Sequence, residues 1–117
     1  MKKHVILIED DDAIRDSLSI FFKRENIDLT TYTSGKAIME GAYAAPDLFP
    51  LDQQLPGIAG IDICRHLKSH QMSKNIPVVI LSARPGIIRE ASLAGADDVL
   101  LKPCKLSVIR RVMFRFL

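Results

Sequence analysis

The chain lacks a dominant charge, a long apolar run and enough cysteine for a covalent framework, and each absence removes a class of function. Its 117 residues hold 16 Lys and Arg against 14 Asp and Glu, a formal net charge of +2. The two signs are mostly interleaved, so no electropositive footprint for a nucleic acid is implied and no direct nucleic-acid partner is expected. The two cysteines, Cys64 and Cys104, stand far apart with no ligand-like spacing around them, which leaves two reduced thiols rather than a disulfide or a metal knot. Met1-Lys2-Lys3-His4 is followed by only four apolar residues before acid begins, too few for a signal peptide or a membrane span. The chain therefore reads as cytoplasmic, with no membrane partner. It also has no low-complexity linker and no internal repeat. A chain of this length suits one domain over residues 1–117, burying roughly two thirds of the surface its unfolded form would expose.

What is present is an alternation of two periods. Val5-Ile6-Leu7-Ile8 is an unbroken apolar run ending in Glu9-Asp10-Asp11-Asp12, as expected of a strand buried on both faces whose carboxy-terminal end meets solvent. From Asp12 the spacing turns helical through Ala13, Ile14, Leu18, Phe21 and Phe22, with acid at the start and Lys23-Arg24 at the end. Ile27–Tyr32 alternates and is rich in β-branched residues, which predicts an edge strand. Ser34 is placed to cap a short helix through Ala37, Ile38, Met39 and Ala42. Leu48-Phe49-Pro50-Leu51 is a third strand despite Pro50, which removes one ladder donor. A helix is predicted from Ile61 to Ser69, a fully buried strand over Pro77–Ser82, and a short helix through Ile87, Ile88, Ala91, Leu93 and Ala94 ending at Gly95. Val99-Leu100-Leu101 is the fifth strand. Leu106, Ile109, Val112, Met113 and Phe116 mark the last helix, with Arg110, Arg111, Phe114 and Arg115 off its apolar stripe. Strands alternating with helices in this way predict a doubly wound parallel α/β sheet with helices on both faces.

In such a sheet the functional groups lie at the carboxy-terminal ends of the strands. There the sequence places Glu9 and Asp10, then Asp52, Ser82 and Lys102. Three carboxylates brought together repel one another, and Mg²⁺, which takes about six oxygens, relieves that repulsion. Asp10 and Asp52 are the expected direct ligands, with the carbonyl of Gln54, while Glu9 would hold a metal-bound water. Asp52 is the candidate nucleophile toward phosphorus. Lys102 supplies a compact positive charge and Ser82 a hydroxyl donor to the incoming group. Asp11 and Asp12 read as ordinary first-turn acids. His4, His66 and His70 lack partners for chemistry, Cys64 reads as core packing, and Phe114 among arginines is a candidate contact point.

On these residues the chain resembles the receiver domains of two-component response regulators. The matching pieces are Ile6–Asp11, Leu51-Asp52 with Leu55-Pro56-Gly57 and Gly60, Ile80-Leu81-Ser82-Ala83, and Gly95–Asp98 running on to Lys102-Pro103. Together they cover essentially the whole chain. The resemblance implies a five-stranded flavodoxin-like sheet of strand order 2-1-3-4-5 and a cis peptide at Lys102-Pro103. It further implies Mg²⁺-dependent transfer from a histidine kinase or phosphotransfer protein onto Asp52, with self-catalysed hydrolysis rather than enzymatic turnover. An effector protein or domain would read the switch, and a homodimer is among the family's options. No effector domain follows Leu117, which leaves a single-domain regulator or a piece of a longer one.

Three features depart from that pattern. Val99 stands where the family usually has an aromatic residue, the segment from Ser82 to Gly95 is about two residues short, and Cys104 replaces a common phenylalanine. All three touch the face made by the fourth helix, fifth strand and fifth helix, so a partner or oligomer other than the family's common symmetric dimer is expected. Two rival readings stand beside the switch. One is a degenerate receiver that works only as a protein-interaction module. The other is a phosphatase with an aspartyl-phosphate intermediate, disfavoured because the second acid it needs two residues after Asp52 is Gln54 here.

Overall fold

The computed structural model describes residues 2–117. Strands β1 (His4–Ile8), β2 (Asp28–Tyr32), β3 (Phe49–Asp52), β4 (Val78–Ser82) and β5 (Asp98–Leu101) alternate with helices α1 (Asp12–Arg24), α2 (Lys36–Met39), α3 (Gly60–Lys68), α4 (Ile87–Leu93) and α5 (Leu106–Phe114). The strands form one parallel sheet in the order β2-β1-β3-β4-β5, which is the expected flavodoxin-like fold.

Alternation along the central strands divides the core into two layers. Ile6, Ile8, Phe49, Leu51, Val78 and Ile80 pack with Ile38 of α2, with Ile61, Ile63, Cys64 and Leu67 of α3, and with Ile87 and Ala91 of α4. Val5, Leu7, Leu48, Val79, Leu81 and Leu100 face the other way, onto Leu18, Phe21 and Phe22 of α1 and Met113 of α5. The unbroken apolar runs of β1 and β4 are thus a requirement of helices on both sides.

Pro50 is accommodated by the direction in which its missing donor would face. Phe49 N and Gln53 N donate to Pro77 O and Leu81 O in and beside β4, at 2.9 and 2.8 Å. By alternation the nitrogen of Pro50 faces β1. The β3–β4 register accordingly runs unbroken from Phe49↔Val78 to Asp52↔Leu81, while β1 and β3 meet only at Ile8↔Leu51 and at the bridge Val5↔Leu48. The proline costs part of one ladder and leaves the other whole.

Helix ends depart from the sequence reading in three places. Ser34 does not cap α2: Gly35 holds that position with no side-chain bond, and the helix stops at Met39, leaving Ala42 outside it. Gly41, at φ +72°, turns the chain away. In α4 only Ile87, Ala91 and, just beyond the helix, Ala94 are buried, while Ile88 and Leu93 are exposed. A two-turn helix over a sheet edge buries the i, i+4, i+7 row and no more. In α5 Leu106 is exposed, whereas Phe114 is half-buried and stacks on Phe21 of α1 at 5.9 Å between ring centres. Phe114 is therefore a packing residue of the α1–α5 layer, with Arg110 over its outer face, and not a free contact point. Gly95, at φ +91°, ends α4 as expected, and Asn26, at φ 59°, does the same for α1.

Among the described residues no helix is long and apolar enough to cross a membrane.

Candidate functional site

Sheet register brings the candidate groups to one level. Ile8 lies opposite Leu51, Asp52 opposite Leu81 and Ser82 opposite Leu101, so the next residues of β1 and β5, Glu9 and Lys102, flank Asp52 at the same end of the sheet. Backbone bonds continue past the strands and hold the loops: Glu9 N to Tyr32 O at 3.0 Å, Gln53 N to Leu81 O at 2.8 Å, and Lys102 N to Ser82 O at 2.8 Å. The Lys102-Pro103 peptide is cis.

Lys102 is the hub. Its ammonium donates to Glu9 Oε1 at 2.7 Å and to Asp52 Oδ1 at 3.0 Å, joining residues 93 and 50 positions away. Glu9 is fully buried and Asp52 nearly so, at 5% exposure. Two buried carboxylates share one cation, which leaves the centre electronegative. Asp10 stands exposed beside them, and carboxylate oxygens of Glu9, Asp10 and Asp52 lie within 4.8 Å of one another. That all-oxygen, anionic cluster fits a small hard cation such as Mg²⁺. Gln54 is exposed in the turn that follows Asp52. Ser82 is buried at the end of β4, where its hydroxyl oxygen accepts from Arg84 N at 3.1 Å.

The charge states follow from burial and neighbours. Loss of solvent pushes Glu9 from an ordinary 4.5 up to about 7; Lys102 pulls it back, and the adjacent Asp52 carboxylate adds to the rise. For Lys102, burial alone would lower the pKa, but hydrogen bonds and charges from Glu9 and Asp52 outweigh it and hold the ammonium above its usual value. The consequence for stability has a definite sign. Below 4.5 Glu9 is protonated in both folded and unfolded chains; between 4.5 and about 7 the folded protein keeps a proton that the unfolded chain has released. Stability present at acid pH is therefore lost as pH rises through that window. In metal-free buffer this loss should be on the order of 2–3 kcal/mol. Glu9→Gln should flatten the slope in thermal melts, and an unchanged slope in the variant would contradict the assignment.

Two residues that sequence reasoning passed over also shape the site. Arg15 of α1 donates to the backbone carbonyl of Glu9 at 3.0 Å and pairs with Asp12, bracing the acidic loop from behind. Gln53, next to Asp52, gives its backbone oxygen to Gly60 N at 3.0 Å and its side-chain Oε1 to Ile61 N at 2.8 Å. A sequence signal for Gln53 existed: Ala59, which precedes α3, has no side-chain oxygen with which to cap it. The other residues read without a chemical role are structural, Asp11 as the cap of α1 rather than as a first-turn acid. Asp11 caps α1 by accepting from Ile14 N at 3.0 Å, Asp12 opens the helix, and Cys64 is buried with its thiol pushed up to about 11 by loss of solvent. His4 meets Thr30 across β1 and β2, and His66 and His70 stack on each other at the end of α3.

The model of the response regulator receiver domain matches residues 5–113 of this chain. Among curated proteins, the transcriptional regulatory protein CseB of Streptomyces coelicolor is 36% identical across 97% of the chain. The alignment covers 50% of that protein, so the chain spans about half the length of such a relative. Among solved structures, the chemotaxis response regulator CheY4 of Vibrio cholerae superposes with a TM-score of 0.91 at 21% identity, covering all of both chains. The receiver domain of the sensor histidine kinase PA1611 of Pseudomonas aeruginosa, which was solved with magnesium in its active-site cleft, gives 0.88 at 21% identity over 99% of this chain and 98% of that one. Sequence, fold and the acidic strand-end cluster agree, and the chain belongs to the response regulator receiver domain family of two-component systems.

Proposed function

We propose that residues 1–117 act as one phosphoacceptor switch in which Asp52 takes a phosphoryl group from a phosphohistidine of a kinase or phosphotransfer protein. One observation carries the reading: a nearly buried carboxylate at the end of a central strand is held by a lysine that also grips a fully buried second acid. An Asp52 carboxylate oxygen attacks phosphorus and the P–N bond breaks. The imidazole keeps the bonding pair, and Asp52 becomes an acyl phosphate. Lys102 is the nearest cation to the new phosphoryl oxygens and moves charge toward them as Asp52 loses its own. Ser82, one residue beyond the partner of Asp52 in β4, offers a hydroxyl to the same group. Asp10, Asp52 and the Gln54 carbonyl would hold Mg²⁺, with Glu9 on a bound water; the ion would supply charge neutralisation during transfer. Water reverses the modification by attack on the acyl phosphate, so the domain switches rather than turning over a substrate. The added charge biases a two-state protein that an effector reads.

A second reading has its own observation. Val99 is half-buried against the α2–α3–α4 layer, so the family's aromatic lever is replaced by a small packed side chain. A chain without that lever could serve as a phosphorylation-independent interaction module. The two readings part in one measurement. Acetyl phosphate with Mg²⁺ should add a single base-labile phosphoryl group, seen by intact mass and abolished by chelator. A folded protein that stays unmodified favours the module.

A further inference from the structure

The turn after the phosphoacceptor is tied to α3 by a residue with no assigned role. Helix α3 begins without a cap of its own, because Ala59 has no side-chain oxygen. Its first two amides are taken up by Gln53: Gly60 N bonds Gln53 O at 3.0 Å and Ile61 N bonds Gln53 Oε1 at 2.8 Å. The helix itself is firmly placed, since Ile61, Ile63, Cys64 and Leu67 are all buried in the core. It also presses on the site directly, for a Cβ on Gly60 would lie 2.3 Å from Asp52 O. On its other side Gln53 donates its own N–H to Leu81 O of β4 at 2.8 Å. A rigid helix on one side and a central strand on the other thus hold the residue between Asp52 and Gln54.

A helix needing only a cap has a simpler solution. Ser or Asp at position 59 would take the Ile61 donor locally and free the Gln53 side chain from the helix. Here a residue adjacent to the nucleophile does the capping, so the bond that finishes the helix also sets the backbone course from Asp52 through Gln54. We propose that Gln53 is a positioning residue for the metal centre. Its clamp on the first turn of α3 holds Asp52 and the Gln54 carbonyl where a divalent cation can take both. The inference rests on reading Asp10, Asp52 and Gln54 as the ligand set. Residues that orient ligands in this way typically contribute about 10- to 100-fold in metal affinity.

The test separates positioning from capping. Mg²⁺ affinity of the unphosphorylated protein is measured by calorimetry well below the melting point of each variant, and melting temperature is recorded alongside. Gln53→Met keeps the bulk of the side chain and removes the acceptor; it should melt earlier and bind Mg²⁺ about 10-fold more weakly. Adding Ala59→Ser supplies a conventional cap, and the double variant should regain stability while its Mg²⁺ affinity stays low. Phe22→Leu, in the opposite core layer, should lower the melting temperature with Mg²⁺ affinity unchanged. Three results would each overturn the proposal: undiminished affinity in Gln53→Met, affinity restored with stability by Ala59→Ser, or an equal loss of affinity in Phe22→Leu. A wild-type protein that binds no Mg²⁺ would instead remove the ligand set on which the proposal stands.

Discussion

Asp52→Asn is expected to abolish phosphoryl uptake from acetyl phosphate and the Mg²⁺-dependent binding of beryllofluoride, while leaving the protein folded. The loss should be complete to detection, at least about a thousandfold, because an amide oxygen is a poor nucleophile and the variant removes one carboxylate of the acidic cluster at the same time. Folding should survive because the change relieves a conflict. Glu9 and Asp52 share the single ammonium of Lys102 at 2.7 and 3.0 Å. A neutral residue at position 52 leaves a one-to-one buried pair between Glu9 and Lys102, which is easier to sustain than two acids on one base. Intact mass after acetyl phosphate treatment and far-ultraviolet circular dichroism together make the check. Equal phosphorylation of wild type and variant would place the acceptor elsewhere, with Asp10 as the obvious candidate.

Gly60→Ala should cost about 3 kcal/mol of stability, a fall in melting temperature of roughly 10 °C or more for a domain of this size. The added methyl would meet Asp52 O at 2.3 Å, Asp52 C at 2.9 Å and Gln53 Cα at 3.0 Å. All three are main-chain atoms, so no flexible side chain can swing aside. Relief requires either α3 to move out of the core layer it fills with Ile61, Ile63, Cys64 and Leu67, or the turn after Asp52 to shift. Either response also disturbs Asp52, so Mg²⁺ affinity should fall with stability. A urea midpoint indistinguishable from wild type would show that the close approach is absent in solution. The glycine is required here by proximity alone, and not by an unusual backbone angle.

Much of this architecture could be read from local pattern. Strands buried on both faces announce themselves as unbroken apolar runs, as in Val5–Ile8 and Val78–Leu81, and each run stops where polar chemistry begins. That one-dimensional rule was enough to nominate Glu9, Asp52, Ser82 and Lys102. It failed where burial depends on a neighbour distant in sequence. Phe114 sits off the stripe of its own helix, and the approach of Phe21 from α1 helps to cover it. Leu93 and Leu106 are expected in the core but are exposed, Leu93 because α4 buries only the row through Ile87, Ala91 and Ala94. Ser34 has the right chemistry for a cap and its hydroxyl accepts from Lys36 N at 3.4 Å, but it stands one residue before the capping position, which Gly35 takes.

The sequence by itself determined which side chains stand at the strand ends, because a strand's face and its point of exit to solvent are encoded by its own residues. Only the tertiary structure decided their relations. Lys102 and Glu9 meet across 93 positions because parallel pairing through β3 and β4 levels the ends of β1 and β5. The upward shift of Glu9 follows from complete burial beside Asp52, which no local pattern reports. Gln53 came to cap α3 because that helix, anchored by its own apolar face, arrived without a cap next to the turn after Asp52. Strand ends are set by neighbours along the chain, and charge balance and clamping by neighbours across the sheet.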